Sequence, residues 1–149
     1  TALREWRRAL KTGGRVAVLV FSTPDRIPWG AMPASIIRRR AQRSAPAQGQ
    51  PGPFSLGSPG VLQDVFRDAG FADAEVHAVS VPHRATRAAE YVRVAREAFG
   101  AFNAMMAHLP AAERDSVWNE VEDAMRHFES PDGFEVPGEC LVGAATKCS

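Results

Sequence analysis

Four imidazoles and two thiols are the most reactive side chains of this 149-residue sequence. His77, His83, His108 and His127 are scattered, and neither Cys140 nor Cys148 belongs to a CxxC pair. That spacing makes no zinc site, and no metal is expected. The two cysteines lie eight residues apart. Extended chain of that length spans ~26 Å, whereas the Cα atoms of a disulfide lie within ~7 Å. An intrachain bond would need the tail to fold back, so reduced thiols in a cytoplasmic protein are expected. Walker A, GxGxxG, HExxH and GxSxG patterns are absent from the sequence, which removes the best-defined phosphate-binding, metalloprotease and serine-hydrolase chemistries. Gly13-Gly14 is no phosphate cradle, because it precedes a strand and a cradle follows one. His83, just beyond the end of a strand, is the best placed imidazole for a general base, but no catalytic residue is assigned.

The elements that must position these groups follow from periodicity. Ala2–Lys11 reads as a helix with Leu3, Trp6 and Leu10 on one face, stopped by Gly13-Gly14. Arg15–Phe21 (RVAVLVF) is continuously apolar after its arginine. It predicts a strand buried on both faces, as in a parallel sheet covered by helices. Ser22–Pro33 is punctuated by Pro24, Pro28, Gly30 and Pro33. Ala34–Arg43 can form a short basic helix, and Ser44–Gly57 reads as a loop. Ser58 and Pro59 suggest the cap and first position of a helix with Val61, Leu62, Val65, Phe66 and Ala69 on its apolar face. Gly70 supplies a left-handed C-terminal cap, with Phe71 as its apolar contact. Ala74–Val81 reads as a second strand. Thr86–His108 is the longest helix signal, and Pro110 opens a second helix carrying Val117, Val121, Ala124 and Phe128, with Trp118 and Met125 beside them. The short turn between them predicts an antiparallel helical hairpin. Gly133–Lys147 reads as one strand interrupted at Pro137-Gly138.

Composition bounds the class. A chain of this length with 45% hydrophobic and 23% charged residues can bury a core and is not of the disordered type. Its longest apolar run, Val16–Phe21, falls far short of the ~20 residues of a membrane-spanning helix, and no signal-peptide pattern opens it. The net charge of +1 hides an asymmetry. Residues 1–50 carry ten basic side chains against Glu5 and Asp25, a balance of +8, and the remainder carries −7. A basic half can meet nucleic acid, attract the acidic half or face something acidic outside this chain; the spread of its basic side chains over three segments argues against nucleic acid.

One combination of motifs goes further. LREWRRALKTGGRVAVLVFS (3–22) resembles the segment of class I S-adenosylmethionine-dependent methyltransferases that runs from a helix through L-K-P-G-G into the fifth strand, with Thr12 where proline is usual. Leu62…Phe66-Arg67-Asp68-Ala69-Gly70-Phe71 and the strand after it resemble the helix, A-G-F turn and sixth strand of that family, and the strand ending near Thr146-Lys147 is similar to its seventh. The relatives it most resembles are the ubiquinone/menaquinone-biosynthesis-like methyltransferases. The resemblance implies an α/β, partial class I (Rossmann-like) fold. It would hold strands five to seven with flanking helices in a single domain, 1–149, interrupted by a loop and short-helix insertion (22–57) and a helical-hairpin insertion (84–131). In the complete family fold the fifth strand lies between the fourth and the seventh.

The resemblance also implies what is missing. In that family the methyl donor is held by a glycine-rich loop and an acidic residue in the first half of the domain, which this sequence does not contain. S-adenosylmethionine is therefore the cofactor of the complete enzyme, and none is expected to bind this chain alone. Ligands of open α/β sheets bind beyond the carboxyl ends of the strands, and both insertions leave from there. Phe21, Trp29, Met32, Tyr91 and Phe99 are the candidate acceptor-binding residues, with Phe102 and Met106 also able to line the site, and the acceptor is expected to be a small apolar or aromatic molecule. The implied product is the C-terminal, acceptor-side part of a methyltransferase, with a non-catalytic binding or dimerisation module as the rival. Without a fourth strand the Arg15–Phe21 edge predicts a homodimer.

Overall fold

The computed structural model describes residues 2–44 and 50–148, so Ala45–Gly49 of the expected loop lie outside the described residues. Within the chain there are two compact units, one from the described residues of 1–26, 49–81 and 139–149, the other from those of 27–48 and 82–138.

The first unit is built on a three-stranded sheet of order β1-β6-β2, from β1 (Arg15–Phe21), β2 (Ala72–Ser80) and β6 (Glu139–Thr146). β6 runs antiparallel to both neighbours, with Val18 opposite Gly143 and Gly143 opposite Val76. Every pairing in the sheet is therefore antiparallel, which corrects the expectation of a parallel ladder. β1 and β2 do run in the same direction, but β6 is inserted between them.

Helices α1 (Ala2–Ala9) and α3 (Val61–Asp68) belong to the same unit. Leu62 and Phe66 of α3 are fully buried, and Val16, Val18, Val20, Val76, Leu141 and Ala145 of the sheet pack into their cluster. The opposite face carries Ala17, Leu19 and Val79, all exposed, with Leu19 at 60% and Val79 at 41%. β1 is thus covered on one face only, correcting the reading that it is buried on both. An unbroken apolar run states that both faces can be covered; it does not supply the second layer. Trp6 likewise turns outward, 47% exposed, while Leu3 and Leu10 reach the cluster.

Two glycines fix close approaches. A Cβ on Gly143 would lie 2.8 Å from Leu62 Cδ2 and from Phe66 Cε2, so the bare backbone of β6 is what lets α3 settle on the sheet centre. Gly70, at φ +84°, closes α3 in the left-handed conformation. Its N–H donates to the Arg67 carbonyl at 2.9 Å and that of Phe71 to the Phe66 carbonyl at 3.0 Å. The Phe66 and Phe71 rings meet edge to face at 6.0 Å, the apolar contact that accompanies this cap. The other end of α3 differs from expectation. The helix starts at Val61 behind Gly60, itself at φ +82°, and Ser58 and Pro59 form the preceding turn. With Gly60 in the left-handed region, the backbone direction changes there and Pro59 cannot be the first helical residue.

The second unit holds α2 (Pro28–Arg40), α4 (Ala88–Ala98), α5 (Gly100–Met105), α6 (Ala111–Met125) and a small antiparallel sheet of order β3-β5-β4. Its strands are β3 (His83–Ala85), β4 (Glu129–Ser130) and β5 (Gly133–Val136). Three expectations change here. The basic helix begins at Pro28, which suits the first helical position, and carries Pro33 inside it. The single helix over 86–108 is two, broken where Phe99 adopts ψ +77° ahead of Gly100. The strand expected over 133–147 is two strands in different sheets, because Pro137-Gly138 ends β5 before β6 begins.

The core of this unit joins Ile37, Tyr91, Val92, Phe102, Met106, Val117, Trp118, Val121, Met125, Phe134 and Val136. At its rim Arg39 and Arg40 both pair with Glu120 of α6, and the Arg43 guanidinium lies 3.2 Å from His108 Nδ1. The basic run of the first fifty residues is thus met by an acid of the negatively charged remainder. Glu129 Oε1 accepts the Ala88 N–H at 2.6 Å, anchoring the start of α4.

Candidate functional site

The second unit gathers four of the five candidate acceptor residues. Trp29 and Met32 lie a turn apart at the start of α2, Tyr91 is in the first turns of α4, and Phe99 is at the α4–α5 break. Tyr91 is fully buried. Its hydroxyl donates to the Trp29 carbonyl oxygen, and burial pushes its phenol well above the usual tyrosine range. Its ring stacks on Phe134 at 5.5 Å. Tyr91 therefore backs the cluster and holds the Trp29 backbone, while Trp29, Met32 and Phe99 are half-buried around the same core. The Trp29 and Phe99 rings are 6.3 Å apart and those of Phe99 and Phe102 5.4 Å apart.

His83 completes the group. It shares the inner face of β3–β5 with Ala85, Phe134 and Val136, since Val136 and Phe134 are the register partners of His83 and Ala85. Its imidazole meets the Tyr91 ring edge-on at 5.2 Å and lies 6.1 Å from Trp29. Burial lowers its pKa from the ordinary 6.5, so the ring is neutral at pH 7 and keeps one nitrogen as a hydrogen-bond acceptor. Phe134 was not among the sequence candidates. The alternation in Gly133–Val136, which sends Phe134 and Val136 inward and Glu135 outward, was the signal that could have found it.

Phe21 belongs to the other unit. It is half-buried at the carboxyl end of β1, its ring 6.0 Å from that of Phe54. Ser22 follows, buried, and its hydroxyl donates to Glu139 Oε1 at 2.7 Å. Gly57 presses on it so closely that a Cβ would sit 2.4 Å from the Ser22 carbonyl. The loop from β1 is thereby pinned at the carboxyl end of that strand. A separate groove of about 810 Å³ in this unit is lined by Leu3, Trp6, Val18, Val20, Leu56 and Val65 among others.

The described residues contain no cluster of side chains able to hold a metal ion, and no helix long and apolar enough to cross a membrane. Both cysteines are free, Cys140 buried and Cys148 exposed. Burial pushes the Cys140 thiol up, which makes it a packing residue and not a nucleophile at neutral pH.

Comparison with known proteins gives a fold. The crystal structure of a candidate methyltransferase from Bacillus halodurans C-125 aligns over 99% of this chain and 62% of its own length, with a TM-score of 0.50 and 13% identity. Two structures of Haemonchus contortus phosphoethanolamine N-methyltransferase 2 align over 99% of this chain and 29% of theirs. The complex with phosphomonomethylethanolamine and S-adenosylhomocysteine does so at a TM-score of 0.41 and 15% identity, and the complex with S-adenosyl-L-methionine at 0.39 and 17%. These two are too distant to carry any structural argument. The chain has a methyltransferase-like α/β fold, and it spans about three fifths of the Bacillus protein it resembles. No family model and no curated protein matches it.

The residues present do not fit S-adenosylmethionine. A nucleotide cradle needs a glycine-rich turn between the carboxyl end of a strand and a helix. After β1 come Ser22-Thr23 and a 3-10 turn over Pro24–Arg26, and after β2 come Val81-Pro82 and another strand. Gly57, the glycine closest to the end of β1, is filled against Ser22. No step of methyl transfer is therefore assigned to the described residues.

Proposed function

We propose that this chain is the C-terminal, acceptor-side portion of an S-adenosylmethionine-dependent methyltransferase of the class I type, related to the ubiquinone/menaquinone-biosynthesis-like enzymes. Its acceptor is a small apolar or aromatic molecule, and the chain is inactive alone, in the cytoplasm, because the methyl donor is held elsewhere in the protein. The observation that carries the reading is the methyltransferase-like fold over 99% of the chain. It is supported by the pairing of β1 with β6, the neighbour that the resemblance assigns to the fifth strand. Trp29, Met32, Tyr91 and Phe99 of the second unit supply the acceptor side. Coding sequence upstream of Thr1 tests this. A strand, glycine-rich loop and helix are expected there, in a product that binds S-adenosylmethionine by calorimetry, while the 149-residue chain gives no heat. A stop codon and start site directly upstream would overturn it.

A dimerisation module is the second reading, favoured by the edge of β1. Among the described residues β1 pairs only with β6, and an unpaired apolar edge is a template for another strand. Two copies joined there, antiparallel across a two-fold axis, would sediment as a dimer at micromolar concentration, and Val18→Pro would return them to monomers. A monomeric wild-type chain removes this reading.

A further inference from the structure

In the cleft bordered by α4, α5 and α6 we infer a binding site for a small organic oxyanion, whose carboxylate or phosphate group sits between the guanidinium groups of Arg96 and Arg114. The cleft belongs to the second unit, has a volume of about 440 Å³ and is lined by Arg96, Asn103, Ala111, Arg114, Asp115 and Trp118. That volume lies in the lower part of the usual range of small-molecule sites. Helical spacing assembles its α6 wall. Ala111, Arg114 and Trp118 follow one another at three and four residues, which puts them on one face of the helix. Trp118 is buried and, with Ala111, gives the cleft its apolar surface.

The two guanidinium groups are differently placed. Arg96 is held in position. Its Nη2 donates to Asp115 Oδ1 at 2.5 Å, and its guanidinium carbon lies 6.0 Å from the centre of the Trp118 ring. Asn103 Nδ2 donates to its main-chain carbonyl at 2.7 Å. A guanidinium carries five N–H donors, and Asp115 takes only one nitrogen. The Arg114 side chain has no hydrogen-bond or ion-pair partner among the described residues. Two cations thus share one cleft with a single carboxylate, and the balance is positive. The next acid on α4, Glu97, accepts from Arg93 at 3.4 Å, and neither of these lines the cleft. Planar guanidinium forks match the oxygen geometry of carboxylate and phosphate. An anion between them offsets their mutual repulsion and uses the donors that Asp115 leaves unfilled, while a neutral molecule of the same shape gains only the apolar contact.

Titration of the 149-residue chain with benzoate, phenyl phosphate and neutral benzamide, at about pH 7 and fixed ionic strength, tests this. Binding is followed through the backbone amide NMR signals of Ala111–Asp115 and the side-chain amide of Asn103. Both anions should shift these signals, and benzamide should not. The tighter of the two anions identifies the ligand as a phosphate monoester or a carboxylate. Arg114→Gln should weaken binding about fivefold. Asp115→Asn, which removes the acid competing for Arg96, should tighten it about twofold. Arg93→Gln makes the same change in net charge on α4 outside the cleft and should leave the affinity unaltered. All three positions are exposed, so the variants keep the core intact. Equal affinity of wild type and Arg114→Gln would overturn the proposal, as would an equal loss in Arg93→Gln, equal binding of benzamide, or no shift in these signals. No methyl donor or acceptor enters the measurement, so neither result bears on the methyltransferase reading.

Discussion

The two units solve the same packing problem in opposite ways. In the second, helices and a small sheet surround the core, and Tyr91, Met106, Val121, Met125 and Val136 are fully enclosed. In the first, three strands carry apolar side chains on both faces, and the described residues leave Leu19 and Val79 of one face exposed. Val18 and Leu19 are neighbours of similar character in one strand. Val18 packs against α3's cluster, and Leu19 is exposed. The hydrophobic driving force depends on area removed from water, so the same residue type contributes to stability on one face and almost nothing on the other.

That contrast can be broken by deletion. Phe102→Ala should cost roughly 3–5 kcal/mol, as for other buried phenylalanines. Phe102 is buried and lies 6.1 Å from the Trp118 ring. Leu19→Ala should stay within about 0.5 kcal/mol of wild type, the range of surface substitutions. Urea denaturation of the two variants measures both. Comparable losses would mean that the open face of the sheet is covered in solution.

A smaller effect sharpens the covered side. Gly143→Ala adds a single methyl at 2.8 Å from two buried side chains, and overpacking of this kind costs about 1–3 kcal/mol. Alanine at Gly100, where a Cβ meets nothing within 4 Å, is the matched control. Thermal melts of the pair should separate, with only the strand variant lowered. Equal melting temperatures would show that α3 can lift from β6 at little cost.

Much of this architecture is written in local sequence. The Gly70-Phe71 cap of α3 was legible because left-handed backbone and an apolar contact each demand a residue type. The L-K-T-G-G turn before β1 and the A-G-F turn before β2 carry the resemblance for the same reason. Tyr91 was legible as an aromatic residue on an amphipathic segment, whereas Trp29 and Met32 were named only for their place in the 22–33 stretch beyond the first strand. His83 was legible only as a position just past a strand, and its ring neighbours were not.

What the sequence determined by itself is therefore the position of most helical and extended segments, the Gly70-Phe71 cap and the apolar character of their faces, since these depend on residues a few positions apart. The tertiary structure decided which apolar faces meet. It put β6 between β1 and β2, sent β5 and β6 into separate sheets across Pro137-Gly138, broke the long helix at Phe99-Gly100 and brought His83 against Tyr91. The physical reason is that burial is non-directional. An apolar stripe states that something must cover it, and only contacts between distant segments, with the backbone hydrogen bonds and close approaches they allow, select what does.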